Sequence, residues 1–462
     1  MKSFWYFLTV YIFFSLQCIG QNEDFNFFVE KVKTNYPGFS DKTSPVKFRD
    51  FALKVLRQNP KDTFRAMSII VNSFNDKHLQ ISQTKESIKL DRNDCRKNFL
   101  AVTKYFTAKG NRKKYEGYWL NDYNDCVVAL QQVNASPLTY KAYVVESNDS
   151  LLPQGRILGV YEFIKDKTFL TDAISTYSKK RYFVATVFRN DSVFTTGAEG
   201  KWKRLRSYTK PILTKLPQFN YYTSAQVFDD NTYIIKIPGA TQKDGQIIDS
   251  IVSADYNKIA RSKTLIIDLT NNLGGKSNVY APLWPFIYTN PIARHQTSTY
   301  CTNDNIHQLE QAVDEYKKSP NSDSTALKQM NDWIKILRDN LGKFVLNGAD
   351  TIKLDSIYAT PKNVGIIINY AGQSATELML FMAKQSSKVK LFGEHTMGAA
   401  DYLDYSPTYL PSKRYKLYIA TSKRVITKDG PKIDGVGIYP NIPIPDKVQN
   451  WQKFVVEYYE EH

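Results

Sequence analysis

Residues 363–377, Asn-Val-Gly-Ile-Ile-Ile-Asn-Tyr-Ala-Gly-Gln-Ser-Ala-Thr-Glu, constrain the fold of this chain more than any other stretch. Val364 and Ile366–Ile368 form a short continuous apolar run, the pattern of a buried strand. Ala371 and Gly372 follow as a tight small-residue turn, and Leu378, Met379 and Met382 mark the apolar face of a helix that starts near Ser374. A serine at such a strand–turn–helix junction presents its hydroxyl at the edge of a sheet, beside the free N–H groups of a helix start. That arrangement suits an acyl-transfer nucleophile with an oxyanion donor next to it. The same residues also spell a helix cap, because Glu377 lies three positions after Ser374 and completes a capping box. Both readings of Ser374 stand at this point.

The rest of the chain supplies the frame. Its 462 residues exceed what one hydrophobic core serves, so two or three domains are expected. Residues 22–75 read as helical, with Phe25, Phe28, Val29 and Val32, then Phe48, Phe51, Val55 and Leu56, then Phe64, Met67, Ile70 and Phe74 at helical spacing. From about 97 to 208 the pattern changes to successive strands: Val127–Leu130, Tyr140–Glu146, Arg156–Phe163, Tyr182–Arg189 and Ser192–Thr196. Turn signals at Asn148-Asp149, Asn190-Asp191 and Gly197–Gly200 separate several of these, which predicts a small antiparallel barrel. Residues 218–300 and 360–445 alternate strands and helices, the mark of an α/β core. Between them, 303–342 carries two helical patterns divided by Pro320 and Asn321, a helical hairpin inserted in the core.

The first residues predict export. Lys2 gives a positive start, Phe4–Leu16 an apolar stretch, and Cys18 and Gly20 the small residues of a cleavage site before Gln21. Lipid attachment at Cys18 ranks second, because Gln17 is bulky where a small residue is wanted. The protein is therefore expected to be periplasmic or extracellular, with no transmembrane segment. Cys95, Cys126 and Cys301 remain after cleavage, and Cys95–Cys126 is the natural disulfide candidate in an oxidising compartment. The three lack metal-ligand spacing, so no structural metal and no cofactor are predicted. A net charge of +17 suggests nucleic acid, but the Lys and Arg residues are scattered, with no dense basic block. A cationic surface attracted to anionic envelope components fits better than nucleic-acid binding.

Three further segments carry chemistry-bearing residues. Thr264–Gly275 reads as a buried strand running into Asn272, Gly274 and Gly275. A double glycine there lets backbone N–H groups face a ligand, or simply makes a strand-to-helix turn. His78 follows a helix and precedes an alternating strand. It is one of five histidines in the chain and the candidate general base, against the common alternative of a hydrogen-bonded surface histidine. His295, His307 and His395 are weaker candidates. Asp434, in Lys432-Ile-Asp-Gly-Val-Gly-Ile-Tyr-Pro, either orients an imidazole or caps a turn before glycine.

Taken in order, these segments resemble the carboxyl-terminal processing (tail-specific) serine peptidase family, whose relatives include the core of the tricorn protease. The resemblance covers 22–95 and 211–445. Asp76-Lys77-His78 matches the family's aspartate–x–histidine stretch. Asp268, Asn272, Gly274 and Gly275 match its strand and double glycine, with Thr270 in place of an arginine. Ser374-Ala375-Thr376-Glu377 matches the nucleophile motif. Gly393, Glu394, Thr396 and Gly398 match the next turn, and Gly437, Ile438 and Pro440 match the closing stretch, with Asn441 replacing aspartate. Ala399 and Ala400 stand where tail-specific members place a lysine base, so the resemblance is nearer the tricorn-type serine–histidine branch. Asp434 stands where a glutamate is expected, and Lys77 where tricorn has a serine.

The resemblance implies an α/β, ClpP/crotonase-like core with an N-terminal helical region and an inserted barrel-like β domain. No PDZ pattern is found in 97–208. The expected segments are a signal peptide at 1–20, a helical region at 21–96, the β domain at 97–210, the core at 211–450 with its insert at 303–342, and a tail at 451–462. The expected activity is serine peptidase action on peptide or protein substrates: Ser374 as nucleophile, His78 as base, Asp434 holding the imidazole. Gly274 or Gly275 and Ala375 would supply the oxyanion hole, with Glu377 and Asn272 in support. A binding protein that kept the fold without efficient catalysis is the alternative.

Overall fold

The computed structural model describes residues 23–84, 91–108, 110–176, 179–196, 200–208, 212–213, 222–320, 322–348, 351–426, 430–445 and 447–462. The expected signal peptide, the Gly197 turn and Asn321 lie outside them. The architecture is the mixed α/β fold with an inserted closed antiparallel barrel that the sequence predicts.

Six strands build the central sheet, in the spatial order Ser224–Asp229, Thr232–Lys236, Thr264–Asp268, Asn363–Ile368, Val389–Gly393 and Ile442–Pro443. The first pair is antiparallel and all other neighbours are parallel. Parallel strands need cover on both faces, and the runs Leu265–Ile267 and Ile366–Ile368 supply apolar side chains to both. Leu265, Ile267, Ile366 and Ile368 pack to one side with Ile248 and Ile259 of the helix Gln242–Arg261 and Leu380 of the helix Ala375–Ala383. Ile266, Ile367 and Phe392 face the other side, against Val455 and Tyr459 of the helix Trp451–Glu461. Asp268 is in register with Ile367. The carboxyl ends of these two strands therefore lie side by side, where open parallel sheets build their binding crevices.

The N-terminal region comprises helical residues 23–35 and the helices Pro45–Gln58 and Thr63–Ser73, joined through Phe28, Val32, Phe48, Met67 and Ile70. The short strand Gln80–Gln83 pairs antiparallel with Tyr415–Ile419 of the core, which pins the segment just before it, His78 included. The helices Asn303–Lys317 and Ser324–Asp339 form the hairpin insert, and Lys31 Nζ and Asn35 Nδ2 both reach Asp304 Oδ2 at 2.6 Å.

Eight consecutive strands, from Gly117–Asn121 to Lys201–Arg204, close into the barrel when the first pairs with the last. Trp119, Phe169, Phe188 and Phe194 are buried and fill its interior, with Trp119 and Phe194 rings 4.8 Å apart. A small barrel packed this way is a core of its own. The helix Arg92–Thr107 leads into it, so the boundary expected at 96/97 falls inside a helix. The expected Cys95–Cys126 bridge is not formed: both cysteines are buried, and no disulfide links the two. Cys126 belongs to the packed barrel interior, whereas Cys95 sits on the helix outside that cluster. No helix among the described residues is long and apolar enough to cross a membrane.

Candidate active site

Ser374 stands at the start of the helix Ala375–Ala383 with φ 55° and ψ −121°. A positive φ in a residue with a side chain costs roughly 1–3 kcal/mol and persists only where its surroundings over-determine it. Here Glu377, which has no exposed surface, does so. Its Oε2 accepts the N–H of Ser374 at 3.2 Å and of Ala399 at 2.7 Å, and its Oε1 accepts Thr396 Oγ1 at 2.5 Å and Gly398 N at 2.8 Å. One carboxylate thus ties the helix start to the turn 396–399. Burial pushes the Glu377 carboxyl up to about 7, against the downward pull of those four donors.

Ser374 and Glu377 form the capping box that the sequence spells, and the Ser374 hydroxyl also faces an imidazole. Its Oγ lies 3.1 Å from Nε2 of His78, within hydrogen-bond reach. His78 is held by its own N–H, which donates to Asp76 Oδ1 at 2.7 Å. Its Nδ1 is buried without a hydrogen bond and lies 4.0 Å from that same Asp76 oxygen. Burial lowers the His78 pKa from its ordinary 6.5, while Asp76 and Asp404 oppose the shift. A neutral imidazole with Nδ1–H toward Asp76 leaves Nε2 free to accept the serine proton.

Asp434 is not placed against this imidazole. Its Oδ1 accepts Asp401 N at 2.7 Å, and its own N–H donates to Asp401 Oδ2 at 3.0 Å. Arg424 in turn clamps Asp401 through Nη2 at 2.6 Å. These bonds draw Asp434 into a staple between two loops, and the carboxylate within 4.0 Å of the His78 ring is Asp76. Asp434 Oδ2 is buried without a partner, and burial together with Asp76 pushes its carboxyl up to about 8. The sequence signal for Asp76 was present, two positions before His78, but carried no hint of its proximity to the ring.

The double glycine reaches the same place. Gly274 has φ 79°, and a Cβ on it would lie 2.5 Å from Gln373 O and 3.0 Å from Ser374 Cβ. Its backbone therefore packs directly on the turn that carries Ser374. Its N–H, however, donates to Asn272 Oδ1 at 2.9 Å. No hydrogen bond among the described residues engages the N–H of Gly275 or Ala375. Asn272 is buried and braces both turns, donating through Nδ2 to Ile237 O at 2.9 Å and accepting Thr376 Oγ1 at 2.9 Å. Thr270, in the arginine's place, folds back on Asp268 Oδ1 at 2.7 Å. His395 faces the barrel instead, with Nε2 2.5 Å from Arg189 Nη1. Among the described residues no cluster of His, Cys, Asp and Glu could hold a metal.

Comparison with known proteins follows the same outline. Residues 231–444 match the family model described as Peptidase family S41. No curated protein matches the sequence. Among solved structures, mature CPAF complexed with lactacystin is similar at 13% identity and a TM-score of 0.50, covering 96% of this chain and 98% of that one. Mature CPAF is similar at 13% identity and a TM-score of 0.50, covering 96% of each chain. A putative peptidase from Parabacteroides merdae has 10% identity and a TM-score of 0.42, covering 94% of this chain and 92% of that one. The segment holding the Asp268 strand, the double glycine and Ser374 is thus the part that matches peptidase family S41, and the fold of the chain is like that of mature CPAF.

Proposed function

We propose that this protein is a serine peptidase of the serine–histidine kind. Ser374 attacks the scissile carbonyl carbon. His78 Nε2 takes the serine proton and delivers it to the leaving amine. Asp76, rather than Asp434, steadies the imidazolium that forms. The free N–H groups of Gly275 and Ala375 receive the oxyanion, while Gly274 and Asn272 hold the turn. Glu377 is a positioning residue whose hydrogen bonds fix Ser374 in its strained conformation. Acyl-enzyme chemistry of this kind needs no metal or organic cofactor. The match to the peptidase family over 231–444 supports a peptide or protein substrate. Ala399 and Ala400, where a lysine base would stand, favour histidine over lysine as the base.

The observation that carries the reading is the 3.1 Å approach of His78 Nε2 to Ser374 Oγ. A fluorophosphonate probe tests it. Wild type should label, Ser374→Ala should not, and His78→Ala should label about 10²–10⁴-fold more slowly. Unchanged labelling of the Ser374→Ala variant would end the proposal.

A further inference from the structure

A cavity of about 340 Å³ opens where the N-terminal region, the barrel and the core meet. Its walls are mainly apolar, with Val71 and Leu79 from the first, Phe183 from the second, and Leu273 and Met397 from the third. Gln373 and Leu273 also line it, and these immediately precede Ser374 and Gly274. The cavity therefore adjoins the nucleophile turn and the glycine turn together. In the peptidase reading, the side chain of the residue whose carbonyl is attacked would enter here.

The charge in this cavity is unbalanced. Among the described residues Lys77, Lys180 and Arg181 line it, against one lining acid, Asp76. Arg181 is already spoken for, bonded to Asp172 at 2.7 Å and to Asp62 at 3.1 Å. Lys180 is engaged too. Asp76 Oδ1 accepts the His78 N–H. Lys77 differs: among the described residues neither a hydrogen bond nor an ion pair ties down its Nζ, although its backbone is fixed between Asp76 and His78 and its carbonyl accepts the Gln80 side chain. Burial pushes its amine below the ordinary lysine range. The half-buried ammonium forms no ion pair with Asp76 or Asp434, the carboxylates that act on it from a longer range, and an incoming anion can meet it directly.

We propose that Lys77 is the specificity determinant of this site, and that the cavity takes an acidic side chain, glutamate or aspartate, on the substrate residue contributing the scissile carbonyl. The apolar walls cover the methylene stem and the ammonium meets the carboxylate. This deepens the peptidase reading and rests on it for the position of the scissile bond. The binding contact itself does not require turnover.

Matched peptides differing only in Glu, Gln or Leu at that residue, each with an amidated C-terminus, test the proposal in two ways. On the active protein, kcat/KM should favour Glu over Gln by about tenfold or more, the range of a charge-assisted hydrogen bond. In Lys77→Met the Glu:Gln ratio should fall to about one or below, and Lys77→Arg should restore much of it. On the Ser374→Ala protein, calorimetry should show the same Glu-over-Gln preference in Kd, again lost in the Lys77→Met, Ser374→Ala double variant. Equal treatment of Glu and Gln by the parent protein, or an undiminished preference without Lys77, overturns the proposal. A preference seen only when the C-terminus is a free carboxylate also overturns it. Absence of fluorophosphonate labelling together with an intact Glu preference in Kd would instead remove the peptidase reading and leave the Lys77 site standing.

Discussion

At the scale of single residues, the site is set by buried carboxyl groups that differ in what they hold. Glu377 accepts four donors and fixes the serine, Asp76 stands by the imidazole, and Asp434 carries an Oδ2 with no partner. Glu377 is raised to about 7 from 4.5, and Asp434 to about 8 from 3.8. Between the ordinary and the raised values the folded protein keeps protons that the unfolded chain has released. Stability is therefore greatest on the acid side of this window and declines as pH rises through 7 and 8. Thermal melts between pH 5 and 9 should show a falling Tm, and Asp434→Asn, which cannot ionise, should flatten the upper part of the fall. An unchanged slope in that variant would remove Asp434 as the cause. Residue roles were unevenly legible in the sequence. Glycines and a serine at strand ends announce themselves by position, because few residue types serve there. Which of two aspartates approaches an imidazole depends on loop hydrogen bonds such as Asp434 to Asp401, and no local pattern encodes those.

At the scale of elements, the strand–turn–helix unit at 363–383 and the strand–glycine unit at 264–275 are braced against each other. Gly274 has no room for a methyl group, since a Cβ would meet Gln373 O at 2.5 Å and Ala375 N at 3.1 Å, and its φ of +79° disfavours any side chain. Gly274→Ala should therefore displace the Ser374 turn and, on the proposed mechanism, slow fluorophosphonate labelling by about tenfold or more, the cost of roughly 1–2 kcal/mol of backbone strain expressed at the serine. Circular dichroism should report a folded protein, and wild-type labelling rates would refute the bracing. These two units were readable because a continuous apolar run gives way abruptly to small residues and then to helical spacing. Three barrel strands, Gly117–Asn121, Thr168–Ile174 and Lys201–Arg204, were not read from the sequence. Lys-Trp-Lys-Arg has too few apolar residues to signal a strand, and its place is fixed by closure onto a partner some eighty residues earlier, Leu120 pairing with Lys203.

At the scale of the molecule, polar clamps hold the barrel to the rest. Arg181 joins the barrel's Asp172 to Asp62 of the N-terminal region, Arg65 meets Glu162, and Lys201 meets Glu394 of the core. Arg181 also stacks over Phe183, its carbon 4.7 Å from the ring centre. Arg181→Ala should leave the barrel folded but loosen its seat, seen as faster hydrogen exchange around 62–65 and 393–396 with unchanged protection inside the barrel. Uniform protection across all three regions would show that apolar packing alone holds the junction. The barrel's strands pair in order along the chain, so it can form as soon as it leaves the ribosome. His78 and Ser374 are 296 positions apart and meet only when the last parallel strands have docked. On the proposed mechanism a nascent chain would therefore stay inert toward its neighbours for most of its synthesis, a delay written into its topology.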